Sequence, residues 1–297
     1  MTRQRIVVSL PNDNAYQHEQ AVAAKSAAER LGLELQVMHA GDDSITQSQQ
    51  LFEIIQSRTA VKPSAFVVEP VTGTGLPKVA EAAIAQGIAW VISNSDVDYI
   101  KQFRRDPNIP VFTVTQEQSE IGRLQGKQFA ALLPEGGSVL LIEGPSMSSV
   151  ASQRREGMER TKPQNVQITT LRSKWSEESA FKSTEAWLRL ATSKAERYDL
   201  VAGQTHELAL GARKSLQSVD NAEQKEKWLN MRFLGIGVLN HVKPLIDRRI
   251  LTAAVVTSVT LDLALSLLLR AFETRTQPSE RTIVETGSLP DLSQLQL

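Results

Sequence analysis

The sequence contains no cysteine. Disulfides, thiolate metal sites and cysteine nucleophiles are therefore excluded, while oxidising and reducing compartments both remain open. Net charge is absent too. The 33 Lys and Arg residues balance 33 Asp and Glu, so no long-range field draws the chain to nucleic acid or to an acidic membrane. Long apolar runs are also missing. The most apolar late stretch, Leu261 to Leu269, is too short to span a bilayer and contains Asp262, so it reads as a buried helix rather than a membrane insertion. Met1-Thr2-Arg3-Gln4-Arg5 leads directly into a strand, with no apolar h-region or small-residue cleavage site. The expected location is periplasmic or otherwise extracytoplasmic if a leader has been removed, and cytoplasmic if Met1 is the native start.

Catalytic signatures are missing as well. There is no Walker A loop, no G-x-S-x-G elbow and no H-E-x-x-H. Gly73-Thr74-Gly75 sits between a strand and a helix, but it is the third such turn, and Lys78 stands where the third glycine of a dinucleotide loop belongs. Asp42-Asp43 reads as a turn and helix cap rather than an acid/base pair. His18, His39, His206 and His241 are not spaced as metal ligands. Lys101, Arg104 and Arg105 read as a solvated helix face, and no helix-turn-helix precedes Ile6. The chain is accordingly expected not to be an enzyme and to need neither cofactor nor metal.

What is present is a regular alternation. Strand patterns fall near residues 5–10, 33–38, 64–69, 88–93, 111–114, 138–142, 166–171, 198–202, 232–236 and 252–256, with amphipathic helical patterns between most of them. In Ala15 to Leu31, for example, Ala21, Ala24, Ala28 and Leu31 share one face, and Gly32 stops the helix. Repeated βα units imply parallel sheets, and 297 residues allow two such domains. Pro134-Glu135-Gly136-Gly137 punctuates the middle, where a second lobe begins. Polar Asp220 to Lys227 reads as an exposed helical extension, and Thr274 to Arg281 as a linker to a final extended run, Thr282 to Thr286. In open α/β sheets ligands bind outside the carboxyl ends of the strands, which directs attention to the short polar segments following them.

An ordered set of motifs carries a family resemblance over nearly the whole chain. It runs from Asn14-Ala15-Tyr16, through Ile88 to Asn94, Gln118 with Gly122 and Gly126, Glu143-Gly144, Ala151 to Gly157 and Gln204 to Ala212, to Leu234-Gly235-Ile236-Gly237. In these the chain resembles the type I periplasmic binding proteins of the ribose-binding and LacI-type effector group. The resemblance implies an α/β fold of two doubly wound parallel-sheet lobes, residues 1–115 plus 258–284 and residues 116–257 plus 285–297. Three crossover hinge segments near Thr115, Thr257 and Glu285 would join them, and the lobes would clamp a small molecule. It implies a solute receptor of an ABC-type transporter, with a permease as partner. The alternative is a cytosolic sensing module without a DNA-binding headpiece, which would act on a signalling partner.

The resemblance also implies ligand positions. Asn14 and Tyr16 match a polar and aromatic pair, although Asn14 equally reads as a helix cap and Tyr16 as a staple. Trp175 falls where the second lobe presents an aromatic, or else staples the helix capped by Ser176. Other usual residues are replaced. Asn94-Ser95 stands for Asp-Arg, Ser152 for an arginine whose neighbour in the motif is kept as Arg154, Thr205-His206 for Asn-Asp, Gly237 for Asp, and Thr257 for Asn or Gln. A buried sugar hydroxyl left unpartnered costs about 1–3 kcal/mol. Several such losses would exhaust the roughly 8 kcal/mol of a micromolar site. Either the ligand is less hydroxylated than a pyranose or other residues supply the bonds; Glu69, Gln118, Gln153, Arg154 and His206 are the candidates. Glu69, before Pro70, faces a ligand or caps the Thr72-Gly73-Thr74-Gly75 loop. Arg154 clamps an anion or is solvated or lobe-bridging, and His206 lines the site or serves as a cap or surface residue. The ligand expected is small, polar and carbohydrate-like.

Overall fold

A computed structural model describes residues 3–59, 61–72, 76–190 and 197–295. Met1, Thr2 and residues 73–75 lie outside them, so neither the leader question nor a loop-capping role for Glu69 is addressed by the described residues. In chain order the elements begin with β1 (Arg5–Leu10), α1 (Ala15–Leu31), β2 (Glu34–His39), α2 (Ser44–Gln56), β3 (Ala65–Val68), α3 (Pro77–Ile84), β4 (Ala89–Ser93), α4 (Ile100–Phe103) and β5 (Val111–Gln116). There follow α5 (Gln118–Leu132), β6 (Gly137–Glu143), α6 (Ser149–Glu159), β7 (Val166–Arg172), α7 (Glu177–Leu188), β8 (Leu200–Gly203), α8 (His206–Gln217) and α9 (Ala222–Leu229). The chain ends with β9 (Arg232–Val238), α10 (Leu239–Asp247), β10 (Ala253–Thr257), α11 (Leu261–Thr274), β11 (Arg281–Val284), β12 (Gly287–Leu289) and a 3-10 turn at Leu292–Leu295.

These elements form two compact units. The first comprises Met1–Gln116 and Val259–Val284, the second Glu117–Ser258 and Glu285–Leu297. The first holds a sheet in the order β11-β5-β4-β3-β1-β2 and the second a sheet in the order β12-β10-β9-β8-β6-β7. Every pairing is parallel except β10 with β12. The expected final run, Thr282 to Thr286, corresponds to β11, and a further strand, β12, follows it. The chain leaves the first unit between residues 284 and 285, so β11 completes one sheet and β12 the other.

Period-two side chains explain the layers of the first unit. Ile6, Val8 and Leu10 pack with the α1 alanines and the leucines of α11 on one face, while Val7 packs with Leu51, Ile55, Val79 and Trp90 on the other. The Leu261 helix is buried on the side carrying Leu261, Ala264, Leu265 and Leu268. Asp262 stays exposed and pairs with Arg30. The basic cluster is not uniformly solvated. α4 is a single turn, and the partly buried Arg104 donates to the Val111 and Pro278 carbonyl oxygens. It seals the edge of the sheet, while Lys101 remains exposed beside Glu280.

In the second unit, Leu140, Ile142, Val201 and Phe233 face α7 and α8, while Val139, Leu141, Leu200 and Leu234 face α5 and α6. α5 and α6 touch backbone to backbone. A Cβ placed on Gly157 would lie 1.9 Å from the Ser119 carbonyl oxygen, and one on Gly122 would lie 1.9 Å from that of Arg154. Backbone atoms at such distances cannot yield without parting the helices. Gly157→Ala is therefore expected to cost about 3 kcal/mol in urea unfolding. Gly287→Ala, with nothing within 4 Å of the added carbon, should fall within about 0.5 kcal/mol of the parent.

Candidate functional site

On the first unit the strand-end face is built from buried polar side chains. The Asn14 side chain accepts from the Gln17 N–H and caps α1, which starts the helix so that Tyr16, Gln17 and Gln20 lie beside the ends of β3, β4 and β5. Glu69 follows β3 and is 7% exposed. Its Oε1 accepts from Gln17 Nε2 at 2.9 Å and Asn94 Nδ2 at 3.0 Å. Asn94 holds a left-handed backbone, φ 52°, a conformation asparagine tolerates better than most residues; this turns the chain sharply after β4. Its Oδ1 accepts from Gln116 Nε2 at 3.3 Å.

The same Gln116 nitrogen reaches the Tyr16 hydroxyl at 2.9 Å, and Gln20 Nε2 reaches it at 2.7 Å. Gln20 is fully buried. Its Oε1 accepts from the N–H groups of Thr260 and Leu261, and its Nε2 also donates to Thr260 Oγ1. It thereby caps α11, whose own N-terminal residue offers no side-chain cap. Ser95 is buried next to Asn94. Of these residues, Asn14, Tyr16, Glu69, Asn94 and Ser95 were singled out from sequence. Gln17 and Gln20 were not, since a helical glutamine reads as part of a polar face, and neither were Gln116 and Thr260, whose partners are distant in sequence.

The second unit places a different set on its strand-end face. Arg154 is 7% exposed, so it is not a solvated arginine. Nε donates to Gln118 Oε1 at 3.0 Å and Nη1 to the Gln204 carbonyl oxygen at 2.5 Å. Gln204 accepts from the Gly144 N–H and donates to the Ala151 carbonyl oxygen, locking the end of β8 to α6. The half-buried Trp175 lies flat against Gly144, where a Cβ would meet its ring at 2.3 Å. Ser176 caps α7 by accepting from the Ser179 N–H, so the cap role foreseen for Ser176 is filled. Thr205 caps α8 through Leu208 N–H, and Thr257 is buried at the end of β10.

Gly237 and His206 form one feature. A Cβ on Gly237 would lie 2.5 Å from His206 Nδ1, so the imidazole fills the space in which any residue-237 side chain would start. Nδ1 is 3.3 Å from a Glu207 carboxylate oxygen and 3.4 Å from the Ile236 carbonyl oxygen. Both neighbours accept, so Nδ1 carries the proton and Nε2 of the neutral ring is an acceptor. The His241 ring centroid stands 5.2 Å away, a pairing that sequence separation hid. Among the described residues no cluster of three metal-ligating side chains is found.

The motif glutamate Glu143 is itself a buried carboxylate. Glu143, at the end of β6, bonds Arg155 at 2.8 Å, with Arg172 4.0 Å away. Burial raises its pKa, and the two arginines oppose that rise.

Residues 6–261 match the family model described as the periplasmic binding protein domain, and the chain belongs to that family. No curated protein sequence matches. Solved structures share the fold. An ABC transporter solute binding protein from Bacillus halodurans with bound myo-inositol is 19% identical with a TM-score of 0.79, over 99% of this chain and 97% of that one. A periplasmic solute binding protein from Actinobacillus succinogenes with bound D-allose is 15% identical with a TM-score of 0.81, over 99% of each chain. A Mycobacterium smegmatis solute binding protein with bound glycerol is 22% identical with a TM-score of 0.79, over 99% of this chain and 96% of that one. The fold is the α/β periplasmic-binding-protein type expected, with one parallel-dominated sheet in each unit.

Burial lowers the His206 pKa, with Glu207 opposing and His241 reinforcing the effect. A depressed folded value means that the unfolded chain binds the proton more readily. The stability His206 contributes is therefore full above its ordinary value of 6.5 and is lost as pH falls through the folded value. Unfolding free energy measured between about pH 7 and pH 5 should fall more steeply for the parent than for His206→Gln; parallel curves would contradict this assignment.

Proposed function

We propose that the chain is a non-enzymatic receptor that takes hold of a small, uncharged, polar solute of the sugar or polyol class and passes it to an ABC-type permease. The observation that carries this reading is the buried polar network on the strand-end face of the first unit, where a carboxylate, four amides and a phenol are concentrated at the carboxyl ends of β3, β4 and β5. Buried polar groups cost stability unless paired, and a small-molecule site is where such a concentration is useful. Family membership supports a binding role. The sugars and polyols held by proteins of the same fold support the solute class.

The hydrogen bonds that the charged residues already hold support an uncharged ligand. Arg154 is engaged by Gln118 and the Gln204 carbonyl, Glu69 by Gln17 and Asn94, and Glu143 by Arg155. Recognition is then left to neutral donors and acceptors and to the ring faces of Tyr16 and Trp175, which suit the apolar face of a sugar or cyclitol. The site residues proposed are Asn14, Tyr16, Glu69, Asn94 and Ser95 on the first unit. On the second they are Gln118, Arg154, Trp175, Thr205, His206 and Thr257, with Gly237 contributing the room for His206. An extracytoplasmic location accords with this role. Among the described residues no helix is long and apolar enough to cross a membrane.

The test is a thermal-shift screen over sugars, polyols, amino acids, purines and acidic metabolites. A ligand at 100 times its dissociation constant stabilises by about 2.7 kcal/mol. At least one sugar or polyol is expected to shift the parent, and Tyr16→Ala and Trp175→Ala each to weaken it by about tenfold, near the upper end of a stacked aromatic contact. Shifts from amino acids or acids alone, with none from any sugar or polyol, would overturn the solute class.

A further inference from the structure

The ladder between β1 and β3 stops where it meets two prolines. In its register Ile6 faces Ala65 and Ser9 faces Val68, and the Glu69 N–H still donates to the Ser9 carbonyl oxygen at 2.9 Å. Continued by two residues, that register sets Pro11 opposite Pro70. In a parallel ladder, a residue so placed donates its N–H to the carbonyl before its opposite number and accepts from the N–H after it. Pro11 has no N–H to donate, and its carbonyl oxygen accepts from the Asp42 N–H at 2.7 Å. The rung is filled instead by a side chain. Gln47 on α2, 1% exposed, donates from Nε2 to the Glu69 carbonyl oxygen at 2.9 Å and accepts at Oε1 from the Val71 N–H at 3.0 Å. A carbonyl oxygen only accepts and a backbone N–H only donates, so the orientation of the amide is fixed whatever the ionisation of Glu69. Nε2 also lies 3.2 Å from Ser9 Oγ.

We infer that Gln47 is a positioning residue for solute binding: it completes the rung that Pro11 cannot, and thereby fixes the direction in which Glu69 projects its carboxyl group toward Gln17 and Asn94. Pro70 confines Glu69 to extended backbone. Within that range the Ser9 carbonyl holds the peptide plane before Glu69, and Gln47 holds the plane after it. With both planes held, Glu69 Oε1 is brought within 2.9 Å of Gln17 Nε2 and 3.0 Å of Asn94 Nδ2. The place of Gln47 is set locally, since Asp43 caps α2 by accepting from the Ile45 N–H and the Thr46 hydroxyl. The effect on a ligand rests on the proposed solute-binding role, but the aim of Glu69 stands apart from that role.

Gln47→Met tests it, because the side chain keeps its length and loses both bonds. Gln47→Asn, whose amide is one methylene too short to span the two backbone groups, serves where the first variant does not fold. The first readout needs no ligand. In a nitrogen–proton correlation spectrum, the side-chain NH2 signals of Gln17 and Asn94 are expected to move in either variant toward their positions in Glu69→Ala. The second readout is the dissociation constant for myo-inositol, D-allose and glycerol. Gln47→Met should weaken the probe that binds by about tenfold, the value of one hydrogen bond, and have no further effect in a Glu69→Ala background. A merely structural role would weaken binding equally in both backgrounds. That equality, or NH2 signals that stay at their parent positions, overturns the inference. Failure of all three probes to bind, with the NH2 signals displaced as expected, would count against the solute-binding reading while upholding the part Gln47 plays in aiming Glu69.

Discussion

A polar group taken out of water must find a partner, and at the carboxyl ends of the strands this chain buries many of them. The first unit meets that constraint by anchoring amides on two groups of fixed polarity, the Glu69 carboxylate and the free N–H groups at the start of α11. Each amide has one donor end and one acceptor end, so each anchor dictates the direction of every link beyond it. The helix cap of α11, the sharp left-handed turn at Asn94 and the orientation of Tyr16 all follow from those two anchors. Removing one anchor would leave several buried groups facing the wrong way, which is why the network behaves as a unit.

The second unit solves the same problem with fewer parts and closer backbones. Gln204 and Arg154 hold the end of β8 to α5 and α6, and glycines at 122 and 157 let those helices approach until backbone meets backbone. Gly237 is vacant so that His206 can stand above it. The family resemblance implies an aspartate at position 237. At that position an imidazole from the neighbouring strand end occupies the volume, presenting a neutral acceptor where a carboxylate would have presented charge. Glu69 and Arg154 hold hydrogen bonds to neutral groups of their own unit.

Much of this was legible in the sequence. Continuous apolar runs located the strands to within a few residues, because central parallel strands are buried on both faces and admit little else. Caps at Asn14, Asp43 and Ser176 follow from local hydrogen-bonding chemistry that depends only on neighbours in the chain. What could not be read depends on contacts across the sheet. Gln20 looks like any polar residue of an alanine-rich helix until α11, distant in sequence, is laid beside it. Arg104 looked solvated because the carbonyl of Pro278 that it meets comes from a distant segment. His206 and His241 share no spacing rule, and only the fold brings their rings together.

The central claim is that the strand-end faces of both units, and not the outer helices, contact a sugar or polyol. Hydrogen-exchange mass spectrometry at saturating myo-inositol, D-allose or glycerol tests this directly. Protection is predicted in peptides spanning residues 10–20, 67–72 and 92–97 of the first unit and 143–150, 172–178 and 203–208 of the second, with α3 and α9 unchanged. Protection confined to the outer helices, or none with any of the three solutes, would contradict it.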